Sequence, residues 1–255
     1  MRLFVTAVRW QLLLARNSPD TLQVCLTAPL LTIVFLAVSE SSGRTDLSAY
    51  GVVAPTLMSL WLLSLYTAGE LIAEERALGT LEGMVATPAP LGVVVLGRLS
   101  AITAVGLVAF AESWLTAGLV FGRWLALPHP AAALACLLAT GASTAATASV
   151  LSPLFVLMPS ARTVQNTLSY PFYLLSGVLV PVSHFPGWLR PMARIIFLSW
   201  SSDLLRDSLA PTPLPSVLPR LTAILLLGAA GGLLGLALLR RVLTAVRRHG
   251  TLSQV

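Results

Sequence analysis

The charged residues are few, and most of their possible chemistry can be excluded by type. The 255-residue chain has ten acids, three histidines and sixteen arginines, with no lysine. A Walker A loop needs a lysine on the phosphates and a Schiff base needs a lysine amine, so neither can exist in this chain. Any ATP and Mg chemistry must therefore come from another chain. His129, His184 and His249 are scattered outside the apolar runs. There is no H-E-x-x-H pair for zinc, and no serine in an apolar run has an evident histidine partner. The expectation is no catalytic residue and no metal site. Two sets of acids remain. Glu112 lies inside an apolar run, where a carboxylate is costly and marks a functional position by default; it would meet substrate, take up a proton, or face an outer vestibule near Arg123. The other set is concentrated: residues 69–90, GELIAEERALGTLEGMVATPAP, hold Glu70, Glu74, Glu75 and Glu82, four of the ten acids.

The elements that must position these residues follow from composition. The chain is 56% hydrophobic and 10% charged, with a mean hydropathy of +0.85. Soluble domains carry about 25% charged residues, so the fold class expected is an all-α integral membrane protein. The net charge of +6 does not indicate nucleic-acid binding, because the arginines punctuate apolar runs instead of clustering on one soluble face. Cys25 and Cys136 fall near opposite faces of the bilayer, which predicts small buried hydrophobes and no disulfide.

Spans need roughly 20 apolar residues each, and six are expected: residues 21–39, 47–69, 91–120, 131–158, 163–182 and 221–239. Residues 1–20 have arginines at 2, 9 and 16 on one helical stripe with apolar residues around them. That pattern predicts an interfacial helix with snorkelling arginines, not a signal peptide. With both termini cytoplasmic, ten arginines lie inside and six outside, which follows the positive-inside rule. The acidic stretch is then cytoplasmic.

Within that stretch Leu78, Leu81 and Val85 keep helical spacing. Gly79 interrupts it, Thr80 can cap a second short helix with Glu82 in its first turn, and Thr87-Pro88 ends it. The residues alone leave open an ordinary solvated loop or a docking surface. Glu75-Arg76, Gly79-Thr80-Leu81-Glu82 and Ala86-Thr87-Pro88, however, resemble the cytoplasmic loop of the type-2 permease subunits of ABC transporters. The resemblance implies that residues 70–90 form a coupling helix docking on a separate ATPase subunit, through Glu74, Glu75, Arg76, Leu78, Gly79, Thr80, Leu81, Glu82 and Val85.

Residues 183–220 are too long for a turn and too apolar for a free loop. Trp188, Met192, Ile195 and Ile196, then Leu204, Leu205 and Leu209, repeat at helical spacing. This predicts two short helices in the outer leaflet, screened by protein. Leu175-Ser176-Gly177, Pro181, Phe185-Pro186-Gly187-Trp188-Leu189 and Asp203-Leu204-Leu205-Arg206 resemble the C-terminal hallmark of the same family. One departure is Phe197, where the family often has proline.

Thr140, Ser143, Thr144 and Thr147 in span four, and Gly228, Gly231, Gly232 and Gly235 in span six, are read as close helix packing. Tyr170, Phe172 and Tyr173 begin span five and either face a central pathway or pack; the resemblance favours a pathway near spans two and five. It further implies an exporter in the cell membrane, working with two ATPase copies and a second permease chain, identical or not. A drug, a peptide antibiotic, a lipid or a glycan precursor would suit as substrate, a small amphipathic one better than a long polysaccharide. An intramembrane enzyme would need the catalytic residues excluded above. A secondary transporter would need inverted repeats, and none is evident.

Overall fold

The computed structural model describes residues 2–17, 19–43, 48–77, 91–150 and 161–249. Among these there are only helices, turns and short irregular connections. The order is α1 (Arg2–Asn17), α2 (Pro19–Ser41), α3 (Ser48–Ala77), α4 (Leu91–Gly106), α5 (Val108–Phe121), α6 (Pro130–Ala148), α7 (Ala161–Leu175), a 3-10 turn (Val182–His184), α8 (Arg190–Arg194), α9 (Phe197–Ser208) and α10 (Val217–His249).

Four described stretches are long and apolar enough to cross a bilayer: Ser48–Ala68, Gly92–Phe121, Pro130–Ala148 and Val217–Val242. The third expected span is α4 and α5 together. They join at Leu107, whose φ of −64° and ψ of −21° keep the chain in the helical region. The span expected at 163–182 is helical only to Leu175. Gly177 takes φ +72°, a left-handed conformation that glycine adopts without a Cβ clash, and the chain turns there. The fourth span, expected to reach residue 158, is helical to Ala148, and residues 151–160 lie outside the described ones.

The bundle is built round α3, which packs against α2, α4, α5, α6, α7 and α9. Its side chains explain why it is central. Val52, Val53, Leu57, Leu60, Trp61 and Leu65 are all buried, so it is apolar on every side, as a core helix must be. Its buried hydroxyls need acceptors in the absence of water. Thr56 and Ser64 find them by donating to the carbonyls of Val52 (2.7 Å) and Leu60 (3.0 Å) one turn back. Gly51 lets α2 approach closely: a Cβ there would lie 2.5 Å from Leu36 Cδ2.

On the far side, α6 and α10 are joined through small residues. A Cβ on Gly228 would come 2.4 Å from Ser143 Cβ, and one on Gly235 2.6 Å from Ser149 Oγ. Ser143 Oγ donates to the Ile224 carbonyl at 2.9 Å. The small-residue pattern thus serves close packing. The opposite face of α10 carries exposed Leu225, Leu226, Leu233 and Leu234.

α1 is held to α4 by a narrow stripe. Ala7, Gln11 and Ala15 are buried, while Leu3, Phe4, Val5, Trp10 and Leu12–Leu14 are exposed. Cys136 is a buried free thiol that donates to the Ser201 carbonyl.

Candidate functional site

The acidic stretch begins as a continuation of the core helix. The second span was expected to end at Gly69, yet α3 runs on to Ala77. One glycine costs a helix about 1 kcal/mol, and the residues after it, ELIAEERA, are mostly strong helix formers. Glu70, Glu74, Glu75 and Arg76 therefore sit on the last two turns of α3. Leu78, Gly79, Thr80, Leu81, Glu82 and Val85 lie outside the described residues, and with them the bend and the second short helix.

The return limb of the loop is α4, starting at Leu91, and it is anchored in turn. Gly97 allows the backbone of α1 to approach, since a Cβ there would lie 2.9 Å from Ala7 Cβ and 3.1 Å from the Phe4 carbonyl. One residue on, buried Arg98 donates from Nε to Gln11 Oε1 at 2.6 Å. Sequence reading did not pair Arg98 with Gln11, because a glutamine inside an apolar helix has no pattern to announce its partner. Residues 78–90 thus connect the end of α3 to a helix that is packed on α1.

The residues expected along a pathway divide into three situations. Phe172 and Tyr173 fasten α7 to the core helix. Phe172 stacks on Trp61 with ring centroids 3.9 Å apart and planes 11° from parallel. Tyr173 is buried and donates its hydroxyl to the Met58 carbonyl at 3.0 Å. Tyr170 is 70% exposed and points out of the bundle. Glu112, on α5, is partly buried, and its Oε2 is enclosed without a hydrogen-bond partner. Arg123, its expected neighbour, instead reaches Glu40 at the end of α2, with Nε 3.2 Å from Oε1. Glu112 is therefore not brought together with the three aromatic residues as one site.

Trp61 was missed in the sequence. It sits in a featureless apolar run, and only the fold reveals that Phe172 and Phe197 both pack on it, the latter at 6.4 Å. Phe197, the departure from the family pattern, is the first residue of α9. Proline is well tolerated at that position, so the helix start is kept and the ring adds an aromatic contact.

At the other end of α3 lies a cleft of about 290 Å³, between the end of α2 with the residue after it (Phe35 to Ser42), α3 from Tyr50 to Ala54, and the chain from Leu179 to His184. Its walls are mainly apolar, and among the described residues no acid or arginine lines it. Among the described residues, no three His, Cys, Asp or Glu side chains are grouped to hold a metal ion.

The arrangement is that of a helical membrane bundle with a loop on its central helix, and the comparisons agree. The family model described as ABC-2 type transporter matches residues 2–210. Nodulation protein J of Rhizobium meliloti (strain 1021) is 29% identical over 206 residues, covering 78% of this chain and 77% of that protein. The protein of the same name from Neorhizobium galegae is also 29% identical over 206 residues, with 79% and 77% covered. That from Rhizobium leguminosarum bv. trifolii is 29% identical over 199 residues, with 77% and 74% covered. With the family match spanning most of its length and helices fit to cross a bilayer, the chain is a membrane subunit belonging to the ABC-2 type transporter family.

Proposed function

We propose that this chain is the permease subunit of an ATP-driven exporter, which moves an amphipathic substrate such as a drug, a peptide antibiotic or a lipid out of the cytoplasm. The observation that carries this reading is the continuity of α3. One helix runs from the buried centre of the bundle through Ala77, straight into the stretch that resembles a coupling loop. A partner that grips residues 78–85 therefore pulls on the helix touching most of the others.

In this reading six helices cross the cell membrane, with both termini cytoplasmic. α2 and α7 join the four stretches named above. ATP and Mg are bound by the partner ATPase, present in two copies, and a second permease chain completes the passage. The subunit contributes no catalytic residue.

The test is reconstitution. Vesicles holding the chain with its ATPase should accumulate an amphipathic fluorescent cation only when ATP is supplied on the ATPase side. Vesicles with either subunit alone should not. Specific nucleotide binding at micromolar affinity by the isolated chain, or dye transport driven by an ion gradient without the ATPase, would overturn the assignment.

A further inference from the structure

Among the described residues, Arg206 is the most enclosed cation at the cleft end of the bundle, at 9% exposure. It bonds to groups on separate parts of the chain. On its own helix, α9, Nη2 lies 2.6 Å from Asp203 Oδ1 and donates to Ser202 Oγ at 3.3 Å. Nη1 donates to the Gly177 carbonyl at 3.2 Å, in the turn that ends α7. The guanidinium carbon lies 4.5 Å from the centre of the Tyr50 ring, in the first turn of α3. Asp203 is in turn shared with Arg194 of α8, whose Nη1 is 2.7 Å from Oδ2.

Two of these contacts are to the walls of the cleft. Tyr50 lines it directly, and Gly177 stands two residues before Leu179–Pro181, which form its other side. Arginine suits this task because a planar fork can donate in several directions and lie flat on a ring at once, which a lysine ammonium cannot do. Asp203 and Ser202 on the same helix hold the guanidinium in place, so its remaining Nη1–H and its ring face are directed at the Gly177 carbonyl and Tyr50. The two walls are therefore tied to α9 through one guanidinium.

We infer that Arg206 is a positioning residue: a latch that sets the separation between the start of α3 and the turn after α7. The cleft between them widens only when its contacts to Tyr50 and the Gly177 carbonyl are given up. The inference rests on the exporter reading only for its consequence, that this end must open for substrate to leave.

The experiment is thiol labelling of the full-length protein in lipid nanodiscs, with Cys25 and Cys136 replaced by alanine. A reporter cysteine is placed at Ala54, which is buried and lines the cleft. A control is placed at Ala145, buried towards the other end of α6. Arg206→Gln should raise the labelling rate at position 54 at least tenfold and leave position 145 within twofold of its parent. Tyr50→Leu should raise it about threefold, and Tyr50→Phe, which keeps the ring, should restore the parent rate. These smaller changes carry the test if Arg206→Gln fails to fold. An unchanged rate at 54 in Arg206→Gln, an equal rise at 54 and 145, or identical behaviour of the leucine and phenylalanine variants at position 50 would overturn the latch. Labelling needs neither ATP nor the ATPase. If the wild-type complex fails to transport, the exporter reading falls and a tenfold rise at 54 still stands; if the rate does not change, only the latch falls.

Discussion

The α6–α10 seam and the α3–α7–α9 seam are both buried, but they are built from opposite materials. Between α6 and α10 the side chains are nearly absent: Gly228 faces Ser143, Gly231 faces Thr147 and Gly235 faces Ser149. The backbones touch, and Ser143 bonds across to the Ile224 carbonyl. Between α3 and its neighbours the contact is made by rings, with Trp61, Phe172 and Phe197 mutually packed. In lipid there is little hydrophobic drive between helices, and close packing with polar bonds holds them together. The glycine seam has one geometry that fits. At the ring seam Trp61 Nε1 is enclosed without a hydrogen-bond partner, and register is held by the stacked rings and by the Tyr173 hydroxyl bond to the Met58 carbonyl. The first seam joins α6 to α10 through backbone contact, and the second lies on the helix that leads into the acidic loop.

The largest effect should come from filling the glycine seam. In Gly228→Leu the new Cβ alone would lie 2.6 Å from the Ser143 Cα, and backbone cannot swing aside as a side chain can. Overpacking ordinarily costs about 1–3 kcal/mol, occasionally more, and here the helices must separate. The expected outcome is loss of monodisperse protein on size-exclusion chromatography; Gly228→Ala should be milder in the same direction. Recovery of normal Gly228→Leu protein would show the seam to be loose.

Trp61→Ala should destabilise by about 3–5 kcal/mol, the usual range for deleting a large buried aromatic. Trp61→Phe, which keeps a ring against Phe172, should recover more than half of that, measured by thermal unfolding in detergent. If the two variants unfold together, the stack contributes nothing specific. The smallest effect is expected from Tyr173→Phe, which removes one hydroxyl bond to the Met58 carbonyl. A buried bond of this kind is worth about 0.5–1.5 kcal/mol. A loss as large as that of Trp61→Ala would mean that Tyr173 holds α7 by more than that bond.

Much of the helical layout was legible because apolar runs bounded by arginines and prolines leave few alternatives in lipid. The boundaries that failed did so for local reasons: Gly69 looked like a break and was carried by strong helix formers after it, whereas Gly177 looked like part of a span and turned the chain. The glycine seam was readable from the spacing of Gly228, Gly231, Gly232 and Gly235. Its partner face could be proposed from Ser143 and Thr147, although the pairing needed coordinates. The site was less legible. Arg206 stands three residues after Asp203, which reads equally as a solvated ion pair on a surface helix, and nothing in the sequence places Tyr50 and Gly177 around it. Trp61 had no signal at all, because a core helix apolar on every side has no face to read.

The central claim is that the loop after α3 links a partner's ATP turnover to the bundle, and it is tested by the substrate-stimulated ATPase activity of the reconstituted complex with Leu81→Asp. Burying a leucine side chain is worth roughly 1.5–3 kcal/mol, so this change should weaken ATPase docking by about tenfold or more and remove the stimulation. Wild-type stimulation by Leu81→Asp, with the ATPase still co-purifying at wild-type yield, would make the loop a solvated connection and contradict the account.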